Sequence, residues 1–249
     1  MKQWVRKTFI LFQFTILVSM SFAKNKIGFA VVELFTSEGC SSCPPADRLL
    51  SNIAEDAARH DKPIYALSFH VDYWNYLGWK DPFSRKEFSL RQNQYAEVMS
   101  GKIYTPQMIV NGQIEFTGSD AYSAQQAITN ALANKEEASI DMKTSLSSNK
   151  KQVVLNYRLN GIHEGDILNI ALVEKGLVSS VKRGENEGRS LHHDNVVRSF
   201  ISLHIQQLES GALTINIPDM KLENTSIIAY MQHKDNLQVY AATQAFLNR

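Results

Sequence analysis

Two cysteines three positions apart constrain this chain more than any other feature. Cys40 and Cys43 are the only cysteines among its 249 residues. An apolar, β-rich run over residues 27–35 precedes them, and a stretch with helical periodicity follows. The pattern predicts a buried strand, a short loop that carries the thiols, and a helix that begins beside the second cysteine.

The stretch after Cys43 has the spacing of an amphipathic helix. Apolar side chains recur at i, i+3, i+4, i+7, i+8 and i+11, and polar side chains fill the other positions. Pro44 and Pro45 open the stretch, where a missing N–H costs a helix least. The predicted apolar face contains Ala46, Leu49, Leu50, Ile53, Ala54 and Ala57, and the predicted polar face contains Asp47, Arg48, Asn52, Glu55 and Asp56.

A cysteine pair at a helix start has a direct chemical meaning. Unpaired backbone N–H groups and the positive end of the helix dipole stabilise a thiolate, which is the form that attacks disulfides. We therefore predict that Cys40, outermost and exposed to a substrate's sulfur, is the nucleophile and that Cys43 is the buried resolving thiol. A structural disulfide is one alternative, although so short a loop removes little unfolded-chain entropy. An inert buried pair is another, and it fits poorly with the polar Ser41 and Ser42 between the thiols.

The overall composition excludes several classes of protein. With 44% apolar and 20% charged residues, the chain is neither disordered nor fibrous. Its 26 basic and 25 acidic residues provide no broad positive field for nucleic-acid binding, so we expect no nucleic-acid partner. Two thiols are also too few for a disulfide-dense scaffold or for a four-thiolate zinc or iron–sulfur site within one chain.

Residues 1–23 have the pattern of a secretory signal peptide. Basic residues open the segment, an apolar run occupies residues 8–20, and the small residues Ser21 and Ala23 stand where cleavage requires them. The apolar run is shorter than the roughly 20 residues that span a bilayer, which disfavours an uncleaved anchor. We expect an exported protein without a membrane span, in a compartment where dithiols are oxidised.

A change in sequence pattern near residue 137 predicts that the remaining chain forms two domains. Up to residue 137, strand-like and helix-like segments alternate, which indicates an α/β domain over residues 24–137. Beyond it, apolar and polar residues alternate with period two and no helix is evident, which predicts a small antiparallel, sandwich-like β domain over residues 138–249. Predicted elements of the first domain are a strand at 63–69, a helix at 84–99, strands at 107–110 and 113–116 around the hairpin dipeptide Asn111-Gly112, and a helix from an N-cap at Ser119 to Asn134.

Several segments carry a resemblance to known families. Residues 29–133 resemble a thioredoxin-fold domain, because the strand, Cys-x-x-Cys and helix are followed, 63 positions after Cys43, by Thr105-Pro106 leading into a strand. Nearly the whole mature chain is more closely similar to an exported bacterial family of thioredoxin-like proteins, catalogued as domain of unknown function 1223. The similar segments are residues 33–47, 70–75, 78–83, 104–108, 183–188 and 195–198.

The resemblance implies a fold and, less directly, a reaction. It implies an α/β thioredoxin-like domain. With the signal-like segment and the thiols at a helix start, it favours a periplasmic or secreted thiol–disulfide oxidoreductase. We expect no cofactor, and we expect a thiol or disulfide substrate protein and a redox partner. It assigns Thr105 to substrate binding, and a cis Pro106 to shaping the groove and keeping metal off the thiols. Compared with thioredoxin, Ser41-Ser42 replaces Gly-Pro and no Trp precedes Cys40, so the direction of electron flow stays open.

Further residues near the predicted site are candidates for supporting roles. Tyr73 and Trp74 follow the second strand and are predicted to line a substrate-binding lip, with core packing as the alternative. Glu33, His70 and Asp72 are candidates for relaying the proton of Cys43. An ordinary structural role is the alternative for each of the three.

Two other functions are alternatives to the redox hypothesis. The first is metal handling, for example of copper, by the two thiolates with soft or imidazole donors. The second is a non-catalytic envelope-binding protein in which the β domain, with its polar loop over residues 181–190, makes the contacts. The additional metal candidates are His70, Met99 and Met108, and separately His192, His193 and Asp194, although adjacent strand residues point to opposite faces.

Overall fold

The computed structural model describes residues 28–99, 101–134, 138–205 and 209–247. The predicted signal peptide lies outside these ranges. The architecture is mixed α/β, with one large mixed sheet and few helices, as expected in outline from the sequence. Within the described ranges, no helix is long and apolar enough to cross a membrane.

The secondary-structure elements follow the predicted order closely. The strands are β1 (Ala30–Thr36), β2 (Ile64–His70), β3 (Gln107–Val110), β4 (Ile114–Thr117), β5 (Ser139–Leu146), β6 (Gln152–Asn160), β7 (Ile167–Glu174), β8 (Leu177–Ser180), β9 (Ser190–His193), β10 (Val196–His204), β11 (Ser210–Asn216), β12 (Thr225–Gln232) and β13 (Val239–Phe246). The α-helices are α1 (Pro44–Arg59), α2 (Lys86–Val98) and α3 (Ala121–Ala133), and short 3-10 turns lie at Asn75–Leu77 and Leu222–Asn224.

Eight strands form the large sheet in the order β13-β12-β7-β10-β2-β1-β3-β4. β1 pairs with β2 in parallel, and β10 joins the other edge of β2 in parallel, with Val196 opposite Ser68. The remaining neighbours in the large sheet are antiparallel. Strands from both predicted domains are therefore hydrogen-bonded in one sheet, while the division at residue 137 stays a prediction.

Both faces of the large sheet are covered. Alternate residues of β1, β2, β7 and β12 contribute to one continuous core, against which Phe88 and Tyr95 of α2 pack. On the opposite face, α1 and α3 cover the β1–β3 region. The three-stranded sheet of β11, β6 and β5 covers β7, β12 and β13 on that face, which gives this region a two-sheet packing.

The predicted hairpin between β3 and β4 is confirmed. Asn111 and Gly112 both have positive φ, 47° and 67°, as the tight turn requires. A Cβ at Gly112 would lie 1.8 Å from the carbonyl oxygen of Leu237, so this position also requires glycine for space. The N-cap of α3 was predicted one residue early, because Asp120 rather than Ser119 accepts the capping hydrogen bond from the Ser123 N–H.

A buried ion pair fixes α2 to the large sheet. Arg91 donates two hydrogen bonds to the carboxylate of Glu33 on β1, at 2.6 and 2.8 Å. Tyr95 donates a further bond to Glu33, and Arg91 also donates to the Tyr230 hydroxyl on β12. Because Glu33 and Arg91 are both buried, neither charge has water to replace a lost partner.

We expect Arg91→Met to destabilise the protein strongly. The substitution keeps an apolar side chain of similar length but leaves the Glu33 carboxylate buried without its cation, which costs about 3–5 kcal/mol. Urea unfolding followed by circular dichroism measures the change. Arg59→Met is the matched control, because Arg59 pairs with Glu55 on the exposed side of α1 and its loss should change stability little. Equal effects of the two substitutions would contradict this prediction.

Candidate functional site

The cysteine motif lies where the sequence predicted it, between β1 and α1. Cys40 and Cys43 are joined by a disulfide. Cys43 is the N-cap residue of α1, and its carbonyl accepts hydrogen bonds from the N–H groups of Ala46 and Asp47 at 2.8 and 3.1 Å. The prediction of a cysteine pair at a helix start is therefore confirmed.

The expected exposure of Cys40 is wrong for this structure. Cys40 is 1% exposed and Cys43 is completely buried. A connection that begins after β8 and ends at β9, residues 181–189, contacts the cysteine loop, and we call it the cap segment. No local pattern around Cys40 indicates this long-range contact.

The tip of the cap segment binds backbone groups of the cysteine loop. The side-chain amide of Asn186 donates hydrogen bonds to the carbonyls of Glu38 and Cys40, both at 2.9 Å. The Glu185 carboxylate accepts the N–H of Ser41 at 3.0 Å, and this bond lowers the pKa of Glu185. Asn186 is completely buried, whereas Glu185 is exposed. The cap segment therefore holds the cysteine loop by two hydrogen bonds from the buried Asn186 and one to the exposed Glu185.

The Thr105–Pro106 peptide bond is cis, as the resemblance implied. The indole N–H of Trp74 donates a 2.7 Å hydrogen bond to the Thr105 hydroxyl. The Cβ of the same Trp74 stands 3.0 Å from the position that a Cβ on Gly39 would take. Trp74 thus contacts the loop that carries Cys40 and the loop that carries the cis proline.

Gly118 locates the cis proline relative to α1. A Cβ placed on Gly118 would lie 3.0 Å from the Cβ of Pro106 and 3.2 Å from the Cβ of Ala46, in the first turn of the helix. Pro106 and the start of α1 therefore flank the same glycine. The structure brings Thr105, Pro106 and Trp74 together near the cysteine loop.

The second aromatic residue of the predicted lip, Tyr73, points toward α2. Its hydroxyl donates to the side-chain oxygen of Gln92 at 3.1 Å, and burial raises its pKa to about 12. Tyr73 packs against the core that α2 shares with the large sheet. Tyr76, three residues further on, is 79% exposed.

The three predicted relay residues have separate partners. Glu33 is engaged by Arg91, and the Asp72 carboxylate accepts a hydrogen bond from Ser89. His70 is completely buried and its Nδ1 lies 2.7 Å from the Asp81 carboxylate. Of the three, His70 alone takes part in the cluster of titratable groups described next.

A buried cluster of two histidines and three carboxylates lies against the cysteine loop. Nε2 of His193, on β9, is 3.3 Å from Oε1 of Glu38, and its Nδ1 is 3.8 Å from the Asp47 carboxylate. The rings of His70 and His193 are 4.8 Å apart, and Asp81 completes the group. The 3.3 Å contact is an ion-pair distance without hydrogen-bond geometry. Oε1 of Glu38, Nε2 of His70 and both ring nitrogens of His193 make no hydrogen bond with the described residues.

Burial and mutual charge set the protonation of this cluster. Burial raises the pKa of Asp47, and the neighbouring histidines offset only part of that shift. Burial also lowers the pKa of His70, but the carboxylates of Asp81, Asp47 and Glu38 raise it by more. For Asp81, His70 and two backbone N–H groups outweigh burial and lower the pKa. The cluster thus combines a carboxyl that tends to keep its proton with a histidine that tends to keep its charge.

Sequence reasoning missed most of this cluster. Asp47 was assigned to the polar face of α1, yet it is buried, because the Thr36 hydroxyl donates to it at 2.7 Å and His193 on β9 lies beside it. The strand alternation at His192 and His193 was correct, since His192 is exposed and His193 is buried. Only that alternation signalled an inward-facing histidine, and nothing local indicated its destination.

The described residues give the metal alternative no support. Within them, no group of three or more His, Cys, Asp or Glu side chains is placed to hold a metal ion. Met108 lies in the core beneath α1 and α3, and Met99 packs against the core on the α2 side. The two cysteines are joined to each other.

Comparisons with known proteins agree with the fold. A crystal structure of an Agrobacterium tumefaciens protein is 24% identical, with a TM-score of 0.64 over 88% of this chain and 95% of that one. HBP35 of Porphyromonas gingivalis is 14% identical, with a TM-score of 0.64 over 90% of this chain and 76% of that one. At these identities the likeness shows the fold alone. Among curated proteins, no match was found.

A family model, described as a protein of unknown function (DUF1223), matches residues 31–232. The matched range includes the cysteine motif, the cis proline, the cap segment and β9. This chain therefore belongs to the DUF1223 family.

Proposed function

We propose that this protein is a thiol–disulfide oxidoreductase with Cys40 and Cys43 as its redox couple. The observation that carries the proposal is the Cys40–Cys43 disulfide at the start of α1, with the cis Thr105–Pro106 bond close to the same helix turn. We also propose that residues 24–137 are a thioredoxin-like domain and that residues 138–249 are a β-rich domain that supplies the cap. The signal-like segment favours a periplasmic or secreted location.

The exchange proceeds in two steps that conserve electrons. In the reduced protein, the Cys40 thiolate attacks a substrate disulfide, which forms a mixed disulfide and releases one substrate thiolate. Cys43 then loses its proton and attacks the Cys40 sulfur, which releases the second substrate thiolate and restores the Cys40–Cys43 disulfide. The substrate gains two electrons and the protein loses two. The reverse sequence oxidises a substrate dithiol.

The residues around the cysteine loop suit the binding of a substrate chain. Thr105 and Pro106 lie beside the start of α1, and Trp74 connects their loop to the cysteine loop. We assign substrate contact to these three residues. Tyr73 precedes Trp74 in the chain, and its hydroxyl donates a hydrogen bond to Gln92. We assign Tyr73 a role in supporting this substrate-contact group.

The buried cluster is suited to exchange the proton that Cys43 gains or loses. Asp47 lies one helical turn after Cys43, and both side chains are buried, so bulk water does not serve them directly. We extend the proposed relay from His70 to Asp47, His193 and Glu38. Glu33 and Asp72 are weaker members, because Arg91 and Ser89 already engage their carboxylates.

The two cysteine substitutions should separate the steps of the reaction. We expect Cys40→Ser to abolish exchange with disulfide substrates, and Cys43→Ser to retain a mixed disulfide at Cys40 because no resolving thiol remains. Turbidimetric insulin reduction and mass spectrometry of acid-quenched, alkylated protein measure these outcomes. The chain has no other cysteine, so every adduct maps to the motif.

The double variant with serine at both positions is the matched control and should form no adduct. A reduction potential, measured in glutathione buffers, gives the direction of exchange, since about −270 mV is typical of a reductase and about −120 mV of an oxidant. Failure of the wild-type protein to exchange with any protein thiol or disulfide would refute the proposed function.

Asp47→Asn should alter stability in a pH-dependent way. Because the folded pKa of Asp47 is raised, the folded protein binds this proton more tightly than the unfolded chain does, and stability falls as pH rises from the unfolded value of 3.8 through the folded pKa. Asparagine keeps the acceptor for Thr36 without a charge. We expect the unfolding free energy of the variant, relative to wild type, to increase between pH 4 and pH 7.

Asp120→Asn is the control of opposite sign. Hydrogen bonds from Ser123 lower the pKa of Asp120, so wild type should gain stability over this variant as pH rises. Parallel pH trends for both variants in urea unfolding would show that Asp47 has no raised pKa.

The same two variants test the proposed proton exchange with Cys43. If Asp47 exchanges that proton, Asp47→Asn changes the pH dependence of the reduction potential and Asp120→Asn does not.

A further inference from the structure

The cap segment occupies the backbone groups that border Cys40. The carbonyls of Glu38 and Cys40 accept hydrogen bonds from Asn186, and the N–H of Ser41 donates to Glu185. These three loop groups belong to the main chain, so a partner that binds them is recognised through its donors and acceptors rather than through a particular side chain. Cys40 and Cys43 are both buried.

The cap offers the loop the same chemistry as an extended polypeptide. Asn186 presents amide N–H donors to Glu38 and Cys40, and Glu185 presents a carboxylate oxygen acceptor to Ser41, the residue after Cys40. A peptide backbone presents N–H donors and C=O acceptors at similar spacing. A substrate main chain can therefore replace the contacts that the cap gives up.

Hydrogen bonds at its base close the cap segment into a loop, so its tip can move while β8 and β9 stay paired. Val181 and Arg189 are joined by a hydrogen bond between the Val181 N–H and the Arg189 carbonyl, and the Gly188 N–H donates to the Val181 carbonyl. Gly184 and Gly188 have φ of 81° and 79°, and the tip with Asn186 lies between them. Apart from Asn186 and Val181, the segment is exposed or half-buried, so few contacts hold it against the cysteine loop.

We propose that Asn186 and Glu185 hold the place of a substrate main chain, so that the site selects polypeptide thiols and disulfides over small thiols. The inference rests on the proposed function and specifies its substrate class. A polypeptide displaces the cap and satisfies Glu38, Cys40 and Ser41 in exchange. A small thiol offers too few donors and acceptors to do so, and reacts only after the cap has opened by itself.

The rate at which the Cys40–Cys43 disulfide is reduced tests this proposal. One reductant is dithiothreitol, and the other is reduced, unfolded ribonuclease A, whose thiols supply the two electrons. Acid quenching, alkylation and mass spectrometry of the full chain follow both reactions. Asn186→Ala removes two donors, and Glu185→Ala removes one acceptor at an exposed position where misfolding is not a concern.

We expect Asn186→Ala to accelerate reduction by dithiothreitol about tenfold, because it removes two hydrogen bonds to the loop whose net strength is modest. Glu185→Ala should accelerate it several-fold. The rate with ribonuclease thiols should change less, so the preference for the polypeptide falls. Glu187→Ala is the matched control, because Glu187 is an exposed carboxylate two positions away whose side chain makes no described contact with the cysteine loop.

The outcomes separate this proposal from the proposed function. Dithiothreitol rates within twofold of wild type for both variants, or equal acceleration with both reductants, would overturn the stand-in role while leaving the redox function intact. Acceleration by dithiothreitol without any exchange with protein thiols or disulfides would refute the redox function and the substrate role of the cap together.

Discussion

Every residue of β1 is buried, so each polar group that the strand and its exit carry must find a partner inside the protein. Arg91 of α2 donates a hydrogen bond to Glu33, and Thr36 donates one to Asp47 of α1. Glu38, just after the strand, accepts a hydrogen bond from the indole N–H of Trp79. These partners come from helices and loops that β1 alone does not specify. The need of these buried polar side chains for hydrogen-bond partners thus determines how the layers assemble around the cysteine loop.

The same constraint explains why the C-terminal half reaches the site. β10 extends the large sheet beside β2, which brings the neighbouring β9 and the cap segment over the start of α1. His193 then lies between Glu38 and Asp47, and Asn186 covers the carbonyl of Cys40. Asn186 and His193 are each more than 140 positions away in the chain from the residues that they contact at this loop.

Local patterns sufficed for the framework of the site. Apolar, β-rich runs predicted β1 and β2, and 3.6-residue spacing predicted α1, to within a few residues. Asn111-Gly112 predicted the hairpin. These signals depend only on neighbouring side chains. Exposure was less predictable. Cys40 was expected within reach of a substrate and Asp47 on the polar face of α1, and both are buried. Asn186 of the cap segment contacts the Cys40 carbonyl, and His193 of β9 lies beside Asp47.

The sequence by itself determined the chemistry that is available: two thiols at a helix start, a proline that leads into β3, and enough apolar residues for a mixed α/β core. Only the tertiary structure decided which groups lie near those thiols. Asn186 contacts Cys40 and His193 contacts Glu38 because β10 pairs beside β2, which brings the adjacent β9 and cap segment to the cysteine loop. Strand order depends on how the whole chain buries its apolar faces and pairs its buried charges, and no window of neighbouring residues contains that information.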